Sequence, residues 1–277
     1  QFLPSKFQKE LKAISEGSEL PYNKILFALF GPELMSFSCT SIISQADKGL
    51  ILGRNLDYSP IFLGNYPIII EYNPETGNKY TSLGLIGYSG ILTGINEKGI
   101  MLSVNAVPMT DPPTSSSDIP IGLLTREILQ YASNMNQVDK LIKNYKSHQG
   151  WVLSIASSNE NQGAAYDLAG KYIDKRKLQP DNHLVSVNNF LSEKIYYKNS
   201  LSCATNPINQ VRLDTANTLL SPKSTVTSKY ILNVLKNTDF YNYKNTIANP
   251  FTINRARSLQ TIIMEPETSS LYFSSNT

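Results

Sequence analysis

Phe7, Leu11 and Ile14 recur at helical spacing, so residues 5–15 read as a short amphipathic helix that Ser5 caps and Gly17 stops. After Pro21, residues 23–30 are strongly apolar and predict a second helix, which Gly31-Pro32 breaks. From Cys39 the pattern changes to strand-like runs. Residues 39–43 and 50–58 flank the turn Ala46-Asp47-Lys48-Gly49 and read as a β-hairpin. Alternation on the return strand puts Gly53, Asn55 and Asp57 on one face and Arg54 on the other. A bulge or twist near the strand end is then needed to turn both Arg54 and Asp57 toward the Cys39 thiol.

Further hairpins follow at 68–72 with 80–84 and at 90–95 with 100–107, around Pro-Glu-Thr-Gly-Asn and Asn96-Glu97-Lys98-Gly99 turns. Helices are predicted at 121–132 and about 137–145. Strands return at 151–157, 164–168 and 183–187. Helices at 213–220 and 230–236 and a hairpin of 259–264 with 270–273 complete the pattern. Antiparallel hairpins with separate helical pairs make an α+β layered protein. Residues 111–117 read as an exposed loop.

At 277 residues the chain can bury one substantial core. Net charge is +3, with 25 basic and 22 acidic residues well mixed, so no basic stripe marks a nucleic-acid partner. Lys171, Lys175, Arg176 and Lys177 cluster around Asp174 and read as a solvated hairpin. Only two cysteines, Cys39 and Cys203, and two histidines, His148 and His183, are present. No disulfide scaffold and no zinc-type spacing follows, and neither a metal nor another cofactor is expected. A Cys39–Cys203 bridge would disable the thiol. Schemes that need a histidine base are weakened.

Cys39-Thr40-Ser41, followed fifteen residues after the cysteine by Gly53-Arg54-Asn55-Leu56-Asp57, resembles the start of the mature chain in N-terminal-nucleophile cysteine hydrolases. In particular it resembles the acid ceramidase, N-acylethanolamine acid amidase and choloylglycine hydrolase superfamily. Gly87-Tyr88-Ser89-Gly90-Ile91-Leu92-Thr93-Gly94, the strand ending in Asn188-Asn189, and the helix start Ile121-Gly122-Leu123-Leu124-Thr125-Arg126 are similar to further segments of those proteins. Asn105 falls where they carry an Asn followed by Glu, but Ala106 stands in place of that Glu. Arg212 falls where they carry an active-site Arg.

The resemblance implies a four-layer αββα sandwich of two antiparallel sheets. It implies a helical presegment, 1–38, released from or retained on a catalytic domain, 39–277, by self-cleavage before Cys39. Cys39 is the implied nucleophile and its freed α-amine the base. Asp57 would hold that amine, Arg54 would favour the thiolate, and Asn188 and Asn105 would donate to the oxyanion. Arg212 would bind a carboxylate or support Asp57. The implied reaction is hydrolysis of a small-molecule N-acyl amide, preferably a fatty-acyl amide. Bile salts, penicillin V, acyl-homoserine lactones and acyl transfer stay open, as does a non-catalytic lipid-binding protein. The helix 25–30 together with Phe62-Leu63 and 68–70 are candidates for an acyl groove or a membrane-surface contact. The chain begins at Gln1, so an upstream segment is expected to have been removed or omitted. The expected setting is secreted, periplasmic or lysosome-like rather than cytoplasmic.

Overall fold

The computed structural model describes residues 3–34, 38–46, 49–57, 67–112, 119–180, 182–200, 207–221, 226–239, 251–255, 258–266 and 270–275. Strand β1 (Ser38–Ala46) pairs antiparallel with β2 (Gly49–Asp57) in unbroken register from Ser38↔Asp57 to Ala46↔Gly49. Gly49 at the hairpin turn has φ 112°, a conformation that glycine adopts without steric cost. β10 (His183–Ser186) flanks β1, while β11 (Ser258–Glu265) and β12 (Ser270–Ser275) extend the sheet beyond β2. The result is a five-stranded sheet.

The second sheet has seven strands in sequence order: β3 (Pro67–Tyr72), β4 (Tyr80–Leu85), β5 (Thr93–Asn96), β6 (Ile100–Val107), β7 (Gly150–Ser157), β8 (Gln162–Ala169) and β9 (Tyr172–Lys177). Every pairing is antiparallel. Ile43, Leu52, Met101, Ala156 and Ile262 interdigitate between the sheets. Helices α3 (Ile121–Tyr131) and α4 (Met135–Ile142) cover the seven-stranded sheet. Helices α5 (Pro207–Leu220) and α6 (Ser228–Leu235) cover the five-stranded one. The expected αββα order is what the chain adopts. Gly53 marks the closest approach of α6, since a Cβ there would lie 2.6 Å from Ile231 Cγ2.

The two leading helices, α1 (Ser5–Ser18) and α2 (Tyr22–Leu34), pack on α3 through Phe7, Leu11, Leu29 and Leu123. The expected break at Gly31-Pro32 does not occur: α2 runs through it. Pro32 lies in the last turn, where the lost N–H costs one bond only, and its carbonyl accepts from Gln149 Nε2 at 3.1 Å.

Other differences are local. Residues 90–92 are irregular, and only Thr93–Asn96 is strand. The Lys171 to Lys177 cluster lies on the β8–β9 hairpin, Lys171 in its turn and Lys175, Arg176 and Lys177 on edge strand β9. Its Lys175 pairs with Asp139 at 2.8 Å and Arg176 with Asp167 at 3.4 Å. Ile69, expected near an acyl groove, is exposed on β3 and lines a groove with Glu97, Ser158 and Pro266 at the turn end of the sheets. Phe62-Leu63, Cys203 and positions 113–118 of the loop lie outside the described residues. Among the described residues, no helix is long and apolar enough to cross a membrane.

Candidate active site

Directly opposite residues of an antiparallel pair share a face. Cys39↔Leu56 and Ser41↔Arg54 therefore point the same way, into the space between the sheets. Arg54 needs no bulge to reach the thiol: its Nη2 donates to Cys39 Sγ at 2.9 Å. The second sheet fixes this guanidinium. Nη1 donates to Thr93 Oγ1 at 2.6 Å and to the Leu92 carbonyl at 3.3 Å, and Nη2 also donates to the Val104 carbonyl at 3.3 Å. Cys39 and Arg54 are both fully buried.

Asp57 stays on the other face with Asn55 and Gly53, as alternation requires. The expected return-strand bulge is absent from the β1–β2 ladder. An irregularity lies instead on β11, between Ser258 and Gln260, which sets Ser258 opposite Asp57. Ser258 Oγ donates to Asp57 Oδ1 at 2.6 Å. Arg212 Nη1 and Arg255 Nη1 stand 3.9 and 3.8 Å from Asp57 Oδ2.

Arg212, in the second turn of α5, grips the backbone around Cys39. It donates to the Cys39 carbonyl at 2.8 Å, to Thr40 Oγ1 at 3.1 Å, to Asn188 Oδ1 at 2.8 Å and to Asn209 Oδ1 at 2.6 Å. Asn188 lies just beyond β10, and its Oδ1 accepts the Cys39 N–H at 2.7 Å. Its NH2, expected at an oxyanion, donates to the Ala106 carbonyl at 2.8 Å. Asn105 also differs from expectation. Its Oδ1 accepts from Ser41 Oγ at 2.7 Å, and its NH2 reaches the Ser186 and Val187 carbonyls at 3.1 and 3.4 Å. It ties the sheets together beside the site. Thus Cys39, Arg54, Asp57, Asn188 and Arg212 form one connected cluster, with Asn105 adjoining it.

Burial pushes the Cys39 thiol above its ordinary value; Arg54 and Arg212 pull it back, while Asp57 raises it. The net direction is upward, so this thiol holds its proton until a base removes it. Burial likewise raises Asp57, against the lowering influence of Arg212, Ser258 and Arg255.

Four supporting residues were not singled out from the sequence. Thr93 sits within the Gly87–Gly94 block, so its signal was present. Asn209 precedes Arg212 by three residues, one helical turn, which a helix starting at 213 conceals. Ser258 and Arg255 carry no local signal.

The αββα sandwich, with a cysteine leading a central strand and an arginine on its sulfur, defines the cysteine branch of the N-terminal-nucleophile hydrolase fold. The chain belongs to the family of acyl-coenzyme A:6-aminopenicillanic acid acyl-transferase, whose model matches residues 44–276. That match starts just after Cys39. Human acid ceramidase is 26% identical over 168 residues, covering 52% of this chain and 42% of the relative. An N-acylethanolamine-hydrolyzing acid amidase ortholog of Caenorhabditis elegans superposes with TM-score 0.62 at 18% identity, over 85% of this chain and 100% of that one. A conjugated bile acid hydrolase of Clostridium perfringens superposes with TM-score 0.57 at 14% identity, over 86% and 89%. The chain spans between 35% and 42% of the length of the first four curated relatives it matches.

Proposed function

We propose that the protein is a self-processing cysteine amidase that hydrolyses N-acyl amides, preferably fatty-acyl amides. The carrying observation is the grip on Cys39: sulfur 2.9 Å from Arg54 Nη2, N–H on Asn188 at 2.7 Å and carbonyl on Arg212 at 2.8 Å. In processing, Cys39 Sγ attacks the Ser38 carbonyl. The Ser38–Cys39 C–N bond breaks, a thioester forms, and the thiol proton passes to the Cys39 nitrogen. Water then cleaves the thioester, leaving a Ser38 carboxylate and a free Cys39 amine.

A free α-amine titrates near about 7.7–8.0, so it can take the thiol proton at neutral pH. Asn188 Oδ1 already accepts at that nitrogen. Asp57 Oδ2 is buried without a hydrogen bond and supplies a carboxylate for the new charge. In turnover the acyl group moves to sulfur, the leaving amine takes the proton, and water releases the acid. Leu56, Ile91, Leu92, Trp151 and Leu259 share one buried cluster with Cys39, which suits an apolar acyl chain. The likeness to acid ceramidase and the acylethanolamine amidase supports the same substrate class, and supports a secreted, periplasmic or lysosome-like setting. Exposed Leu20 and Phe27, on the α1–α2 pair, offer a face for a lipid surface. Acyl transfer, the reaction in the family's name, follows if an amine intercepts the thioester.

Intact mass tests this reading. The wild type should split between Ser38 and Cys39, and Cys39→Ala should stay whole. An N-acylethanolamine should then yield fatty acid, with transient acylation of Cys39. Cleavage of Cys39→Ala at the same bond, or turnover by a processed form lacking that thiol, overturns the mechanism.

A further inference from the structure

A second polar site lies one strand beyond the nucleophile. Trp151 is paired with Ala106, whose carbonyl holds Asn188, and Asn188 holds Cys39. The fully buried Trp151 indole N–H faces the carboxylate of Glu33, at the end of α2, without closing a full hydrogen bond. Glu33 Oε1 accepts the Ile121 N–H, at the start of α3, at 2.6 Å. Glu33 Oε2 and Tyr88 OH are also buried without a hydrogen-bond partner. Gly90 and Gly122 admit the Tyr88 hydroxyl between their backbones, because a Cβ at either would collide with it.

Two donors face this carboxylate, a helix-terminal N–H and an indole N–H, and the Tyr88 phenol lies against the Gly122 backbone next to Ile121. Only the first is satisfied. Buried donors left open are costly, and the Ile121 N–H and the indole favour a carboxylate here against the burial that raises Glu33. Glu33 is covalently part of the segment that self-cleavage cuts away from Cys39. In that cleavage Ser38 supplies the acyl carbonyl, so the residues before it, Glu33 included, are the acyl side.

We propose that Glu33 is a built-in occupant of a carboxylate pocket formed by Ile121 N–H, Trp151 Nε1 and Tyr88 OH, and that the processed enzyme uses this pocket for acyl groups carrying a second carboxylate. The preferred substrates are then amides of dicarboxylic acids. The substrate part rests on the amidase reading; the pocket does not. Glu33 stands five residues before Ser38, a separation of at most about 17 Å in extended chain.

Trp151 is the only tryptophan in the chain, so its emission reports on this pocket. In Glu33→Ala, acetate at up to about 0.1 M should shift Trp151 emission saturably, whereas Glu33→Gln, which keeps the pocket filled, should not respond. No acetate response in Glu33→Ala overturns the pocket. If that variant does not fold, refolding in acetate against equal chloride asks the same question. Recovery in acetate alone supports the pocket, and equal yields overturn it.

Turnover tests the substrate part. On processed wild type, 4-nitroanilides of monocarboxylic acids are compared with half-anilides of dicarboxylic acids, from about 4 to about 12 carbons. At one length or more, the terminal carboxylate should raise kcat/KM about 10-fold, and Trp151→Phe with Tyr88→Phe should bring that ratio toward one. No preference at any length, or a ratio that survives both substitutions, overturns it. If no anilide is cleaved although acetate binds, the amidase reading falls and the carboxylate pocket stands.

Discussion

At the scale of single residues, the site turns on guanidinium charge opposing burial. Desolvation holds the Cys39 thiol in its neutral form, and Arg54 is the stronger of the two fixed charges, with Arg212, that work against it. Arg54→Met should therefore move the pH midpoint of Cys39 alkylation upward and slow modification at neutral pH. Peptide mass spectrometry after timed iodoacetamide exposure measures this. An unchanged midpoint would show that Arg54 does not set the thiol's charge. Asn188 offers a second residue-scale test, because its oxygen orients the Cys39 nitrogen while its NH2 is spent on Ala106. Asn188→Ala should slow both self-cleavage and turnover, each by about 100-fold, on a chain that still melts cooperatively. Normal processing combined with slow turnover would return Asn188 to a pure oxyanion role.

Elements meet at two tight places. Gly53 on β2 faces α6, and a methyl group there would strike Ile231 and Leu235. Gly53→Ala should cost about 1–3 kcal/mol in chemical denaturation, and a smaller loss would mean that α6 slides freely on the sheet. Glu33 joins α2 to α3. Burial raises its carboxyl from the ordinary 4.5 to about 7 against the lowering influence of the Ile121 N–H. A carboxyl raised by folding prefers to stay protonated in the folded chain, so the folded form is favoured at low pH. That advantage is complete below about 4.5 and is lost as pH climbs to about 7. Glu33→Gln should flatten this part of the stability profile. Thermal unfolding of both proteins across that range decides it, and parallel curves would remove Glu33 as the cause.

For the whole molecule, the proposed cleavage would leave α1 and α2 held by packing alone. Phe7, Leu11 and Leu29 are buried against α3. Arg126 closes the pair with two bonds to Glu10, at 2.8 and 2.9 Å, and with its guanidinium 5.3 Å from the Phe7 ring. The cut pieces should therefore co-elute in gel filtration and part only in denaturant, with Glu33, beyond the Phe7, Leu11 and Leu29 anchors, released from its pocket once the Ser38–Cys39 bond is cut. Spontaneous separation would show that this packing is too weak to hold a 38-residue piece.

The layered fold was legible because each hairpin announces itself locally through apolar alternation and a turn residue. The faces of β2 were legible for the same reason, since side chains on a strand alternate regardless of what lies beyond. That is why Arg54 and Asp57 were separated correctly from the sequence. The remedy expected for that separation, a bulge in the hairpin, was not needed. Register decided otherwise: Cys39 and Arg54 already share a face, and Asp57 reaches the cluster through Arg212. The sequence also concealed that α2 continues through Pro32, whose carbonyl is met by Gln149, more than a hundred residues away.

By itself, then, the sequence determined the elements, their faces and the candidate nucleophile, because these follow from short-range periodicity and residue type. Only the tertiary structure decided which groups meet. Ser258 on Asp57, Thr93 on Arg54 and Glu33 before the Trp151 indole are contacts between segments far apart in the chain, brought together by packing that no local pattern encodes.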